Sequence, residues 1–466
     1  MSDGVDDQAT DALGMGADEM RRLGYWVVDR VVEHITQGPD GPVIRTGDPD
    51  ELRSLIGGPV PRERGDAEAA LQTLLDAVLS QMQHGDHPRY FARVPGPSSF
   101  AGVLGDWLGT GYNAIAASWG GGSGPAAVEL VVLEWLRQLV GLPAGGEGVI
   151  LSGGSVSNLS ALAAARAVTG PGVAYLSDQA HSSLVRGLRT LGFGEELIRI
   201  LPSDDGFRLT AQTVADAVAR DRADGHTPRF VIASAGTTNT GAVDELEAIA
   251  AVCAAGNLWF HIDGAYGAPA ALCAPGRAAL AGLQLADSLV LDPHKWLFAP
   301  YDAGVLLIRR AGVLERAFGM RPEYLADVQS ADGRVDFGQL SPELTRRARA
   351  LKLWMIFETY GLDAIAAAIE RGITLAEHAQ RLIDTDDYWR CVTPAQLGIV
   401  TFTHPGWGPA EHAERVAALS ADGYAAITST NLRGTPALRL CTINPRTTED
   451  EIAETLARLR ARQDGR

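Results

Sequence analysis

The chain has 466 residues, 46% hydrophobic and 21% charged, the ordinary balance of a soluble globular protein but too long for one compact core. Its net charge of −17 argues against nucleic acid and anionic membranes as partners, and no apolar run reaches membrane-spanning length. The four cysteines, Cys253, Cys273, Cys391 and Cys441, form no CxxC pair, so no disulfide framework or metal site is expected and a reducing cytoplasm fits.

Residues 1–17 read as an acidic flexible tail, with Asp3, Asp6, Asp7 and Asp11 where a signal peptide would be basic and then apolar. Residues 18–85 read as a helical arm. Met20, Leu23, Val27, Val28, Val31 and Ile35 recur on one helix face, a connection through Gly58, Pro59 and Pro61 follows, and 66–83 form a second amphipathic helix. Neither stripe has a core of its own, so the arm is expected to pack on something larger.

From residue 86 short apolar runs alternate with helix-length segments: 148–151, 172–176, 230–234, 258–263, 288–292 and 304–308. Continuous apolar strands of this kind predict a largely parallel sheet covered on both faces, an α/β domain over 86–355. A long helix from about residue 346 leads into a smaller α+β domain, 356–466, with strands at 398–403 and 437–442 and a last helix over 448–462. Thr448 and the acids Glu449–Glu451 suit that helix's N-terminus.

Four strand ends carry groups with chemistry. Ser152-Gly153-Gly154-Ser155-Val156-Ser157-Asn158 follows one strand and opens a helix, which describes an anion cradle and also an ordinary Gly/Ser turn. Asp178-Gln179-Ala180-His181 follows the next, with His181 either structural or part of a shared crevice. His261-Ile262-Asp263-Gly264-Ala265 ends a third, placing an acid where α/β sheets bind ligands; a turn cap is the plain alternative, and His-x-Asp without a third ligand is poor evidence for a metal. Asp292-Pro293-His294-Lys295-Trp296 ends a fourth. Lys and Arg total 40, yet only Lys295 and Lys352 are lysines, which singles out positions where an amine is needed that a guanidinium cannot replace. Lys295, among Pro293, Trp296 and Leu297, is expected to be desolvated with a lowered pKa, and Lys352 in its Arg-rich helix to be structural. One cofactor accounts for all four sites: pyridoxal 5′-phosphate (PLP) needs an anion cradle, an amine for its aldehyde, a carboxylate for its ring nitrogen and a flat group over the ring.

At these residues the chain resembles the group II PLP-dependent amino acid decarboxylases, the family of aromatic-L-amino-acid and glutamate decarboxylases. The resemblance runs from about residue 87 to 459, with its motifs in order: HPRYFARVPGPSS (87–99), SGGSVSN (152–158), SDQAHSS (177–183), AGTTNTGAVDEL (235–246), HIDGAYG (261–267), DPHKW (292–296), PEYL (322–325), RRARALKLW (346–354) and LRLCTINPRTT (438–448). The resemblance implies fold type I, the aspartate aminotransferase architecture, as a homodimer with active sites at the interface. It implies that Lys295 carries the cofactor, that Asp263 pairs with the pyridine nitrogen, and that His181 and Ala265 flank the ring. Ser155, Val156, Ser157 and His294 would lie around the phosphate, with Thr238, Asp244 and Asp292 in support. Tyr324 matches a loop tyrosine that reaches over the substrate and protonates the carbanion.

The substrate positions depart from the aromatic enzymes. Arg93, Val94, Pro95 and Gly96 replace a Tyr-Phe-Pro-Thr stretch, and Ala117, two residues after Ile115, replaces an aromatic. Gly120–Ser123 is unusually small, and Gly338 stands where an arginine is usual. The expected reaction is therefore decarboxylation of an amino acid with a polar or bulky side chain to its amine. An aldehyde-forming oxidative decarboxylation is the second expectation. A catalytically silent binding subunit is the third, opposed by Lys295, Asp263 and His181.

Overall fold

The computed structural model describes residues 13–38, 41–320 and 334–461. Tyr324 and the first 12 residues of the acidic tail lie outside them.

Every apolar run named above is a strand. β1 (Glu147–Leu151), β2 (Val173–Ser177), β3 (Ile198–Leu201), β4 (Pro228–Ser234), β5 (Trp259–Asp263), β6 (Ser288–Leu291) and β7 (Gly304–Ile308) form one sheet in the order β1-β7-β6-β5-β4-β2-β3. Only β7 opposes the others, pairing antiparallel with both β1 and β6. Strands β2, β5, β6 and β7 are buried along their whole length, as a sheet covered on both faces requires. β3 was not expected. It is an edge strand whose Arg199 is partly exposed and pairs with Asp221 at 2.7 Å, so its apolar run is broken.

Helices Gly154–Thr169, Ala211–Ala223 and Leu246–Gly256 occupy helix-length segments between these strands. Helix Trp119–Leu139 opens on the small run 120–123; a Cβ on Gly122 would run into the carbonyl oxygen of Ile115, which explains that glycine by close approach.

A second, antiparallel sheet comprises β8 (Arg390–Gln396), β9 (Ile399–Thr403), β10 (Thr428–Leu432) and β11 (Thr435–Cys441), in the order β10-β11-β9-β8. Its core, with Trp389, Phe402, Leu440 and Ile452, also takes in Phe91. The Phe91 N–H donates to Ala426 O at 2.8 Å and its carbonyl accepts from Cys441 N at 3.0 Å. The chain on entering the expected large domain is thus stitched first to the smaller sheet. Helix Ala350–Thr385 spans the expected boundary at 355/356 and breaks at Gly361, where φ is 72°.

In the arm, helix Ala17–Gln37 buries only Leu23, and Met20 and Tyr25 remain 55% and 68% exposed. An unforeseen helix, Pro49–Ile56, occupies the connection; Asp48 caps it through Asp50 N (2.9 Å) and Glu51 N (3.0 Å). The expected helix 66–83 is shorter, α-helical over Ala67–Thr73 and then one wider turn over Leu74–Leu79. No helix of the described residues is long and apolar enough to cross a membrane.

Candidate active site

The ends of β1, β2, β4, β5 and β6 converge on a cavity of about 310 Å³. Ser155, Val156, His181, Thr238, Asp263, Ala265, Asp292, His294 and Lys295 all line it. Ser157 and Asp244 do not. The Ser157 hydroxyl is buried in the first turn of its helix without a hydrogen-bond partner among the described residues. Asp244 accepts from Leu209 N at 2.7 Å and Ser234 N at 2.6 Å, so it shapes the end of β4 from behind; burial raises its carboxyl to about 7 despite these donors.

The cradle depends on missing side chains. A Cβ on Gly154 would lie 2.8 Å from Asp292 Oδ2 and 3.2 Å from the Ala265 Cβ, and Gly153 adopts φ 156°. The start of helix Gly154–Thr169 therefore sits directly against the ends of β5 and β6, with helix N–H groups facing the cavity side.

Asp263, 7% exposed, is held on both oxygens: Oδ1 accepts from Ala265 N at 3.1 Å and Oδ2 from Asn158 Nδ2 at 3.0 Å. Behind Asn158 a buried chain continues. Asn158 Oδ1 meets His261 Nε2 at 3.0 Å, His261 Nδ1 meets Ser288 Oγ at 2.8 Å, and Trp259 Nε1 donates to that oxygen at 2.8 Å. Burial pushes the His261 pKa down, so the ring is neutral. The Asp263 carboxylate accepts from Asn158 Nδ2, so Asn158 Oδ1 faces His261 and can only accept, which puts the proton of the neutral ring on Nε2; bare Nδ1 then accepts from the Ser288 hydroxyl, whose oxygen accepts from Trp259. His261 is thus a buried support for Asp263.

Lys295 Nζ lies 2.8 Å from Asp292 Oδ2. Burial alone would lower its pKa, but the charge and hydrogen bond of Asp292, with Asp263 behind, outweigh it, so the amine sits above the ordinary lysine value. The expected lowered pKa is corrected: the strand end brings an acid along with the apolar neighbours. His294 Nδ1 accepts from Ala303 N at 3.2 Å, and the Tyr301 ring stands 4.9 Å from the His294 ring. His181 caps helix Ser182–Thr190 and meets Ser183 Oγ through Nδ1 at 2.8 Å. Lys352, by contrast, is fully buried on Asp106 (2.8 Å) and on the carbonyls of Pro300 (3.0 Å) and Asp302 (3.1 Å). It braces the segment that carries Tyr301.

An amine, a fixed carboxylate and a glycine cradle around one cavity are the donor set that PLP requires. The family model described as "Pyridoxal-dependent decarboxylase conserved domain" matches residues 49–404. The chain belongs to this decarboxylase family. It is 40% identical over 465 residues to an aromatic-L-amino-acid decarboxylase of Bacillus atrophaeus, covering 96% of each chain. It is 31% identical to a phenylacetaldehyde synthase of Arabidopsis thaliana over 83% of each. Its fold superposes on the crystal structure of Oryza sativa TDC with PLP and tryptamine with a TM-score of 0.90 at 26% identity, covering 96% of this chain and 98% of that one. The protein is a PLP-dependent amino acid decarboxylase, of fold type I. When bound, PLP supplies the electron sink for the charge left as CO2 departs.

In this decarboxylase none of the expected substrate residues lines the cofactor cavity. Arg93 (φ 49°) is exposed, its Nη1 donating to Gln83 Oε1 at 3.2 Å and its carbonyl held by Arg439. Val94 is half-buried, Pro95 and Gly96 are buried, and a Cβ on Gly96 would strike the Tyr301 ring. Ile115 and Ala117 belong to another seam: Ile115 bridges to Arg347, and Ala117 O accepts from Gly338 N at 2.7 Å. Sequence reasoning missed Asn158 and Tyr301. Asn158 was present in the SGGSVSN motif as the position one helical turn after Gly154, whereas nothing in the sequence marked Tyr301.

Proposed function

We propose that the enzyme decarboxylates an aromatic L-amino acid to its amine. The observation carrying this reading is the placement of Tyr301, whose ring fills the space left by Gly96 and stands 4.9 Å from the ring of His294, a residue that lines the cavity. The full-length similarity to the Bacillus atrophaeus enzyme supports the same reading. The expectation of a polar or bulky side chain rested on Val94, Gly96 and Ala117 as lost aromatic surface and on Arg93 as an added cation; none of the four lines the cavity, and the Arg93 guanidinium is engaged with Gln83.

In this proposal Lys295 would be the point of cofactor attachment, Asp263 would hold the ring nitrogen protonated, His181 would lie over the ring, and Ser155, Val156, Thr238 and His294 would surround the cofactor. Tyr324 delivers the proton to the α-carbon. The unit is a homodimer in which the arm covers the neighbouring subunit, as the exposed Met20, Tyr25, Leu55 and Leu74 favour. Four unpaired cysteines suit a reducing cytoplasm.

The test is kcat/KM for phenylalanine, tyrosine, tryptophan and DOPA against glutamate and cysteine sulfinate, with CO2, amine, aldehyde and peroxide all measured. An aromatic substrate should lead, with amine equal to CO2 and Arg93→Ala changing its turnover less than about threefold, as for a surface contact. A leading acidic substrate would refute the aromatic reading. The relative named phenylacetaldehyde synthase supports a second reading, in which O2 and water enter and aldehyde, ammonia and peroxide leave with the CO2. Peroxide equal to CO2 would establish it.

A further inference from the structure

A second cluster of donor side chains lies where the arm meets the body. His34, near the end of helix Ala17–Gln37, places Nε2 3.1 Å from Asp86 Oδ2. The His84 ring stands 5.4 Å from the His34 ring, and one ligand atom from each of the three residues falls within 4.8 Å of the others. A cavity of about 140 Å³ opens beside them, lined also by Pro42 and Arg446. No hydrogen bond engages the His84 ring among the described residues. We propose that His34, His84 and Asp86 form a zinc-ion site that fastens the first helix of the arm to the segment leading to the smaller sheet.

Two imidazoles and one carboxylate suit Zn²⁺, whereas Mg²⁺ and Ca²⁺ call for an all-oxygen shell. Tetrahedral bonds of about 2.0–2.1 Å set donors roughly 3.4 Å apart. The His34–Asp86 pair, at 3.1 Å, is already near that spacing, and the His84 ligand atom, within 4.8 Å of the other two, must draw in toward them on binding. Water takes the fourth position.

The backbone holds the donors in place beforehand. Asp86 O accepts from Asn444 Nδ2 at 2.8 Å, His84 N donates to Val43 O at 2.9 Å, and Gly85 O accepts from Gly96 N at 3.1 Å. The last bond ties the site to the residue that abuts Tyr301. Arg446 is the competing charge. Its guanidinium is committed to Ile35 O, at 3.0 Å, and to Asp86 O, and stands 3.9 Å from the Asp86 carboxylate, so it moderates the affinity for the ion and leaves lone pairs open. The sequence suggested no metal because its donors are split between a helix and a distant loop, with no cysteine among them.

The PLP-loaded enzyme, stripped with a chelator and dialysed against Zn²⁺, should retain one ion per chain and melt at a higher temperature, because the ion binds only the folded form. Mg²⁺ should have no such effect. His84→Ala and, separately, His34→Gln should each weaken Zn²⁺ binding more than about tenfold while PLP absorbance stays unchanged. His34 is on an exposed helix face, so His34→Gln decides the matter if His84→Ala folds poorly. Wild-type enzyme that retains no zinc overturns the proposal. A His34→Gln variant that retains it undiminished does so equally, because the ion would then sit elsewhere.

Discussion

Asp263 accepts from the Asn158 amide, and that fixes the proton on His261 two residues further along the chain of hydrogen bonds. The hydrogen bonds pass from Trp259 through Ser288, His261 and Asn158 to Asp263, all buried. His261→Leu keeps the volume but strands the Ser288 hydroxyl and the Asn158 carbonyl. The expected loss is about 1–3 kcal/mol of stability, read from urea unfolding, and weaker PLP retention. His261→Gln can both accept from Ser288 and donate to Asn158, and should recover part of both. Because the chain touches Asp263 and not the amino acid, kcat should fall with KM nearly unchanged. Equal losses in the Leu and Gln variants would reduce His261 to a packing residue.

At the scale of elements, one buried ion pair locks three segments together. Arg346 pairs with Glu129 at 2.6 Å, donates to Ala116 O at 2.6 Å and Ile150 O at 2.5 Å, and lies over the Phe337 ring; Glu129 in turn accepts from Ile150 N at 2.9 Å. Helix Trp119–Leu139, the end of β1 and the seam holding Ile115, Ala117 and Gly338 thus share one anchor. Burial already raises the Glu129 carboxyl above its usual range against the pull of Arg346, so Arg346→Ala would leave a buried acid without its cation and should cost about 3–5 kcal/mol. A double Arg346→Met, Glu129→Leu variant removes both charges and should regain much of it. Thermal melts of the three proteins check this, and a double variant no better than Arg346→Ala would show that the bonds to carbonyls dominate.

For the whole molecule, the arm is the unfinished part. Its first helix buries a single residue, while Met20, Tyr25, Leu55 and Leu74 stay at least half exposed, more apolar surface than a free helical arm can leave in water. Sedimentation of the full chain should give a dimer, and Met20→Glu with Tyr25→Glu should weaken it while the far-ultraviolet spectrum keeps its helix. A monomer with full activity would refute the assembly proposed above.

The sequence by itself determined the local identity of the site. Lys295 stood out because the chain has only two lysines, and the strands that deliver Asp263 and Asp292 were readable because strands buried on both faces are uniformly apolar. β3 escaped because an edge strand lets a paired arginine interrupt that pattern. Tertiary structure decided what depends on groups far apart in the chain. It set the direction of the Lys295 pKa through Asp292, turned Arg93 toward Gln83, and placed the Tyr301 ring where Gly96 has no side chain. Periodicity reports which face of an element is buried, but charge balance and cavity shape arise only where separate elements meet.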